Sequence, residues 1–210
     1  MPRAPRYARH IVAPVVPAEL VERLARARIG TTFNQYARGP RAGLLRERLV
    51  AYLEEKDGAD LLLVGEAPGY RGARVSGIPF TSERQLTGRG PAEATATIVR
   101  RVLDELGIGE RTLLWNVVPT HPHEARDQAT NRRPTVREVE ASAPFLAALA
   151  AGRRVIAVGR LAESVLGIDG LRHPSHGGAR AFRDGLRAFG AGRLLESAAG
   201  GRQVRRLSAR

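Results

Sequence analysis

The sequence predicts an α/β fold: a three-layer α/β/α sandwich with a small, mainly parallel central sheet. Three short apolar runs, typical of strands covered on both faces, alternate with longer segments of helical periodicity. Polar or glycine-rich connections separate them, as in repeated strand–helix–strand units. Since 43% of the 210 residues are hydrophobic, the chain can bury one ordinary core. A single domain over residues 18–195 is therefore expected.

The first half of the chain predicts two helices and one strand. The helices cover about residues 18–28 and 41–55, and the apolar run at residues 60–65 is the first strand. The second helix directs four leucines inward: Leu44, Leu45, Leu49 and Leu53. A long glycine-rich loop is predicted from Glu66 to Gly90.

The second half predicts two more strands and four helices. Thr135 and Glu138 have the spacing of a capping box and mark the start of one helix. In order, the elements are a helix from residue 91, a strand over 113–118, a helix over 135–151, a strand over 154–158, a helix over 161–166 and a helix over 179–187. Basic segments at residues 1–17 and 196–210 are interpreted as a flexible arm and a tail.

The composition favours a polyanionic partner. Lys and Arg number 34 against 21 Asp and Glu, a formal charge of +13, although a GC-rich genome would also enrich arginine. The absence of cysteine excludes disulfides, thiolate catalysis and cysteine-ligated metals. No apolar run is long enough for a membrane span, and the amino terminus lacks the apolar region of a signal peptide. We therefore expect no membrane partner and a cytoplasmic, nucleoid-associated location.

Three polar clusters follow predicted strands. They are Gly65-Glu66-Ala67-Pro68-Gly69, Asn116, and Arg172-His173-Pro174-Ser175. Because ligands of parallel α/β sheets collect at the carboxyl ends of the strands, these clusters are expected to meet there. The first cluster is either a structural turn or a ligand loop; it is neither a Walker loop nor a dinucleotide fingerprint.

Each remaining candidate has a structural and a functional interpretation. Phe80 either anchors its loop to the core or stacks on a flat ring. Asn116 either bonds to neighbouring backbone or presents its amide to a nucleobase edge. His173 is either satisfied by backbone or stabilises an anion on a ligand. His121 and His123 lack the spacing and the acidic partner of a metal site, so no metal or other cofactor is expected.

Taken together, these segments resemble the uracil-DNA glycosylase superfamily. The resemblance spans about residues 60–182 and is carried by five motifs in order: Gly65-Glu66-Ala67-Pro68-Gly69, Ser76-Gly77-Ile78-Pro79-Phe80-Thr81, Asn116-Val117-Val118, Asn131-Arg132-Arg133-Pro134-Thr135 and His173-Pro174-Ser175. It implies a three-layer fold that extrudes uracil from DNA and hydrolyses its glycosidic bond. An extruded base needs stacking, edge hydrogen bonds and a snug pocket.

The resemblance also implies individual roles. Phe80 stacks on the base, Asn116 reads its polar edge, and His173 donates to the 2-carbonyl of the leaving base. The residues expected to border the base are Gly65, Ala67, Pro68, Gly69 and Ser175. Those expected to contact DNA around the extruded base are Arg172, His176, Gly177 and Arg180.

The chain departs from the family pattern at several positions. Ala67 stands where familiar members carry a water-orienting aspartate, and Gly69 where they carry a tyrosine that blocks thymine. The motifs are closest to the iron–sulfur branches, but Thr120 and Ser142 stand where two cluster cysteines would fall. By resemblance to a broad-specificity branch, Glu83 is one candidate for activating water, and Glu66 is the other.

The expected function is a monofunctional glycosylase that acts as a monomer on uracil-containing DNA, single- or double-stranded. Lys56 is the sole lysine and lies on the second predicted helix, away from the clusters, so a Schiff-base lyase step is not expected. Two alternatives remain open: a non-catalytic DNA-binding relative, and a glycosylase for hypoxanthine or xanthine.

Overall fold

The fold is built on one small parallel sheet in the computed structural model, which describes residues 15–190. The described strands are β1 (Leu61–Gly65), β2 (Thr112–Asn116), β3 (Arg154–Val158) and β4 (Gly170–Leu171). They lie in the order β2-β1-β3-β4, and every pair is parallel. The predicted parallel sheet is confirmed. The two-residue β4 was missed, because so short a strand leaves no recognisable hydrophobic pattern.

Helices cover both faces of the sheet. Their bounds are α1 (Pro17–Arg26), α2 (Ala42–Glu55), α3 (Ala73–Ser76), α4 (Glu83–Thr87), α5 (Ala94–Glu105), α6 (Val136–Ala150), α7 (Arg160–Leu166) and α8, described over residues 179–190. The short α3 and α4 lie within the stretch predicted to be loop, because a helix of one turn shows no periodicity. Within the described range, no helix combines the length and the hydropathy needed to cross a bilayer.

The predicted ends of the domain can be compared with the structure only in part. Pro17, placed in the arm by the sequence, is the first residue of α1, where its fixed φ suits the first helical position. Residues 1–14 and 191–210, and with them most of the predicted arm and the whole predicted tail, lie outside the described residues.

The strands separate two hydrophobic clusters, which makes the fold three-layered. In β1, Leu62 and Val64 pack into a cluster with α1, α2, α6 and α7, whereas Leu63 packs on the other face with α5 and α8. Successive side chains of a strand point to opposite faces, so a strand buried on both sides must be apolar throughout. This is the physical reason that the apolar runs predicted the sheet.

One predicted core residue of α2 is wrong. Leu45, Leu49 and Leu53 are buried, but Leu44 is 41% exposed. Consecutive residues of a helix are 100° apart, so Leu44 lies outside a stripe centred on Leu45, Leu49 and Leu53.

Two buried hydroxyl groups, one after β2 and one on α6, make hydrogen bonds within the protein. The Oγ1 atoms of Thr32 and Thr120 are 2.6 Å apart, and the Ser142 hydroxyl donates to the Glu138 carbonyl at 2.7 Å. Thr120 and Ser142 are fully buried. Hydroxyl hydrogen bonds therefore occupy the two positions at which the sequence resemblance would place cluster cysteines.

Candidate active site

The carboxyl ends of the strands open into a cavity of about 500 Å³. Its wall is formed by the turn after β1, the end of β2, Gly159 after β3 and the segment after β4. Ligand pockets of proteins have about this volume. The cavity brings together four side chains that the sequence placed in separate segments: Glu66, Phe80, Asn116 and His173.

Phe80 lies against the last residue of β1. Gly65 pairs in register with Asn116, and a Cβ atom at Gly65 would overlap the Phe80 ring and lie 3.0 Å from Asn116 Oδ1. Glycine is thus required here for space, so that the ring can approach the backbone. Phe80 has a φ of +51°, a strained value for an aromatic residue, and such values concentrate at functional sites.

The Asn116 side chain is buried but unpaired. The residue is 4% exposed, and its carboxamide makes no hydrogen bond to any residue between 15 and 190. The structure therefore does not show the hydrogen bond between Asn116 and neighbouring backbone that was one of the two interpretations of the sequence. An amide that lines the cavity and whose donors and acceptor are not used by the described residues is available to a polar ligand edge.

The hydrogen bonds of His173 select one tautomer. The Ser175 backbone N–H donates to His173 Nδ1 at 3.2 Å, and the Ser175 hydroxyl lies 2.7 Å from the same nitrogen. Nδ1 is therefore the acceptor, and in the neutral ring Nε2 carries the proton. Burial lowers the pKa of His173, and the neighbouring His176 lowers it further. The cavity thus contains a neutral imidazole with an N–H available to a ligand.

Glu66 lies at the first position after β1. Its backbone carbonyl accepts from Val118 N–H at 3.0 Å, which fixes the turn, while its half-buried carboxylate lines the cavity. Burial raises the pKa of Glu66, and the Arg133 charge opposes that rise. A partly desolvated carboxylate is a stronger base than one in water, so Glu66 is suited to accept a proton.

Glu83 is held in ion pairs outside the cavity. Arg41 Nη2 donates to one carboxylate oxygen at 2.7 Å, and Arg48 Nη1 donates to the other at 2.8 Å. Burial raises the pKa of Glu83, but these two hydrogen-bonded arginines outweigh it and leave the pKa lowered. The candidate role in water activation is therefore not supported, since both oxygens are already engaged. Both arginines that neutralise Glu83 are distant from it in sequence.

The remaining turn residues, Ala67, Pro68 and Gly69, line the cavity as predicted. His121 anchors the turn, because its Nδ1 lies 2.8 Å from the Pro68 carbonyl oxygen and its Nε2 lies 3.1 Å from that of Gln128. Burial lowers the pKa of His121, which favours a neutral ring that donates through Nδ1 over the shorter contact. The role of His121 is therefore to hold the backbone of the turn after β1 by hydrogen bonding.

The predicted DNA-contacting residues lie at the rim. Arg172, His176, Gly177 and Arg180 are exposed, and His176 also lines the cavity. His176 has a φ of +50°, and Gly177 has a φ of +76°, so the backbone turns sharply in the segment after β4. Arg180 is paired with Asp184 at 3.6 Å, a surface contact of little energy that leaves the arginine available to a phosphate.

Three charged residues line the cavity but were not predicted from the sequence as site residues: Glu93, Arg132 and Arg160. Arg132 belongs to a motif that carried the resemblance, but no role was assigned to it. Glu93 directly precedes α5, and no local pattern distinguishes it from an ordinary acidic residue at a helix start. Their place in the cavity arises only from the packing of distant segments.

Comparisons with known proteins agree with this geometry. The family model described as the uracil DNA glycosylase superfamily matches residues 53–197. The chain is also similar to the crystal structure of wild-type SMUG2 from Pedobacter heparinus, with a TM-score of 0.63 and 15% identity over 86% of this chain and 98% of that one. At that identity the likeness shows the fold. A comparison with curated proteins gave no significant match.

Proposed function

Because the chain belongs to the uracil-DNA glycosylase superfamily, a family of DNA glycosylases, we propose that it hydrolyses the N-glycosidic bond of uracil extruded from DNA and leaves an abasic site. The observation that carries the proposal is that one cavity holds the Phe80 ring, the Asn116 amide and the neutral His173 ring with its N–H. The Asn116 amide makes no hydrogen bond within residues 15–190. Such an arrangement can stack a flat ring and hydrogen-bond two of its polar groups.

Recognition of uracil would proceed through stacking and edge hydrogen bonds. Phe80 provides the ring surface, and the Asn116 amide can both accept from the 3-NH and donate to the 4-carbonyl of uracil. Cytosine presents an amino group at position 4 and an unprotonated nitrogen at position 3, so it offers the opposite pattern. With the amide in the orientation that suits uracil, cytosine is disfavoured because donors face donors and acceptors face acceptors.

Bond cleavage would separate a base anion from a sugar cation. His173 Nε2–H would donate to the 2-carbonyl, where negative charge gathers as the bond between N1 and C1′ breaks. The base leaves with the electron pair of this bond. Water then adds to C1′ and gives a proton to Glu66. No cofactor is needed in this scheme, and the exposed arginines of the rim would contact the phosphates.

The first test separates Glu66 from Glu83. We expect Glu66→Gln to slow uracil release by about a hundredfold, the lower end of general-base effects. Glu83→Gln should keep release within about twofold but lower the free energy of unfolding by about 1–3 kcal/mol, because Arg48 loses a buried carboxylate partner. The measurements are single-turnover release from a uracil oligonucleotide and urea denaturation.

Glu47→Gln is the matched control, since Glu47 is exposed on α2 and distant from the cavity. Slow release in Glu83→Gln with normal release in Glu66→Gln would reverse the assignment. Salt-sensitive binding of the wild-type protein to DNA without release of any base would instead favour the non-catalytic relative.

The second test concerns strand cleavage. Lys56 is 8% exposed, its Nζ lies 3.0 Å from Glu55 Oε1 and 3.4 Å from Glu110 Oε2, and it does not line the cavity. An amine held in ion pairs away from the site cannot attack C1′. We expect an intact abasic strand as product and no covalent adduct on borohydride reduction. A trapped adduct that disappears in Lys56→Ala would contradict the monofunctional mechanism.

A further inference from the structure

Tyr36 is a buried phenol that contacts the loop carrying Phe80. Its hydroxyl donates to the Gly77 carbonyl oxygen at 2.8 Å, and the residue is 1% exposed. Burial raises the pKa of the Tyr36 phenol, so the hydroxyl stays protonated and remains a donor. Tyr36 precedes residues 53–197, which the family model matches, so the family pattern does not describe this contact.

Neighbouring contacts hold Tyr36 in place. Asn34 Oδ1 accepts from the Tyr36 backbone N–H at 3.0 Å, and Asn34 Nδ2 donates to the Leu24 carbonyl oxygen of α1 at 2.8 Å. Gln35 Nε2 donates to the Pro119 carbonyl oxygen at 2.9 Å, which ties the same segment to the residues after β2. Because this segment is already ordered, the Tyr36 hydroxyl loses little further freedom when it bonds to the loop.

The acceptor of this hydrogen bond, Gly77, packs against the backbone of α2. It has a φ of +83°, and a Cβ atom there would lie 3.1 Å from the Cα atom and the carbonyl oxygen of Leu45. Helix backbone cannot move aside as the end of a long side chain can, so both the space and the φ favour glycine. The Tyr36 hydroxyl therefore holds the loop at the point where the loop touches α2.

The loop passes this position on to Phe80. The Ser76 hydroxyl donates to the Thr81 carbonyl oxygen at 2.6 Å and accepts from the Ile78 N–H at 3.2 Å. One fully buried side chain thus bonds to backbone on both sides of Phe80. Phe80 has a φ of +51°, and a non-glycine residue keeps such a strained value only where its surroundings hold it.

We propose that Tyr36 is a positioning residue: its hydroxyl, acting through Gly77, holds Phe80 in the strained conformation in which the ring lines the cavity. This inference rests on the proposed function, because the position of the ring matters only if a base stacks on it. Tyr36 itself does not line the cavity. Without its hydroxyl the loop is free to relax toward an unstrained φ at Phe80, and part of the stacking is lost.

The test removes only the hydroxyl, in Tyr36→Phe, and measures DNA binding by the full chain. The ligands are two duplexes that differ at one nucleotide: 2′-fluoroarabinouridine, whose glycosidic bond stays intact, or a tetrahydrofuran analogue of an abasic site. The ratio of their affinities reports the contacts made with the base. We expect Tyr36→Phe to lower this ratio by about fivefold, the effect of one buried hydrogen bond. Ser76→Ala should lower the ratio as well, because it removes the second constraint on the same loop.

Tyr52→Phe is the matched control. The Tyr52 hydroxyl also bonds to backbone, since it accepts from the Leu114 N–H at 2.7 Å, but it lies outside the loop. We expect this variant to lose a similar amount of stability in urea denaturation and to keep the affinity ratio within about twofold of the wild type. A double-mutant cycle with Phe80→Leu adds a second readout: if the hydroxyl acts through the ring, Tyr36→Phe lowers the ratio no further once the ring is absent.

An unchanged ratio in Tyr36→Phe would overturn the inference. So would an equal loss in Tyr52→Phe, or a full effect of Tyr36→Phe in the Phe80→Leu background, because each would show that the hydroxyl supports the fold in general. If the wild type releases no base while the ratio falls in Tyr36→Phe as expected, the proposed hydrolysis fails and the positioning role stands. If the wild type releases uracil and the ratio stays fixed, the positioning role alone fails.

Discussion

His173→Ala is expected to slow uracil release by about a hundredfold to a thousandfold, the usual effect of removing one donor to a developing anion. The loss should fall on the rate of the chemical step rather than on DNA affinity, because the negative charge appears only as the glycosidic bond breaks. Ser175→Ala should cost less, since the Ser175 backbone N–H still donates to His173 Nδ1 and preserves the tautomer. Single-turnover release at saturating protein measures both effects.

The matched control is His123→Ala. His123 lies outside the cavity, and its Nδ1 contacts the Glu124 carbonyl oxygen at 2.8 Å. A His173→Ala protein that releases uracil within threefold of the wild-type rate would contradict the proposed role. Retained DNA binding and an unchanged circular dichroism spectrum exclude unfolding as the cause of a loss.

Glu138→Gln is expected to produce the largest loss of stability. The Glu138 carboxylate is 1% exposed and accepts two parallel hydrogen bonds from Arg132, at 2.6 and 2.8 Å, with further bonds from the Thr31 and Thr135 amides. Removing one partner of a buried pair leaves the other charge uncompensated and costs about 3–5 kcal/mol. Urea denaturation at pH 7 measures this loss, and Glu140→Gln on the exposed face of α6 is the control.

The same contacts set a pH dependence. Burial alone would raise the pKa of Glu138, but the Arg132 and backbone hydrogen bonds lower it to about 2. A carboxyl group whose pKa is lower in the folded protein binds a proton more readily when unfolded. Its stabilisation, about 3 kcal/mol for a shift of this size, is therefore complete above about pH 4.5 and disappears as the pH falls toward 2.

The difference in stability between the wild type and Glu138→Gln should accordingly shrink between pH 5 and pH 3. A difference that stays constant over this range would show that the ionised carboxylate is not what stabilises the network. Because the wild type carries other carboxylates with shifted pKa values, the comparison with Glu138→Gln is the informative quantity.

Local patterns were sufficient for three of the four described strands and for the residues that follow them. A short apolar run such as Leu61 to Val64, bounded by polar residues and glycine, is typical of a strand covered on both faces, and the carboxyl ends of parallel strands lie at one edge. Asn116 and His173 can therefore be assigned to one site from the sequence alone. The capping box at Thr135 and Glu138 was likewise predicted from spacing, because both of its hydrogen bonds are local.

Contacts between distant segments could not be predicted in this way. Glu83 had the spacing of a catalytic carboxylate, but Arg41 and Arg48, about 40 and 35 residues away, bind both of its oxygens. Glu93 had no distinguishing spacing, but the packing of α5 against the turn after β1 places it in the cavity. Which acid is free and which is neutralised depends on partners that the order of residues does not specify.

The sequence by itself determined the layered fold, the edge of the sheet that carries the site and the chemical types of its central residues. These properties follow from periodicity and strand direction, which are local. Only the tertiary structure decided the protonation and pairing of individual groups: the tautomer of His173, the unpaired amide of Asn116 and the different environments of Glu66, Glu83 and Glu93. Burial and charge pairing are properties of three-dimensional neighbours, and they decide which of several similar side chains can take part in the reaction.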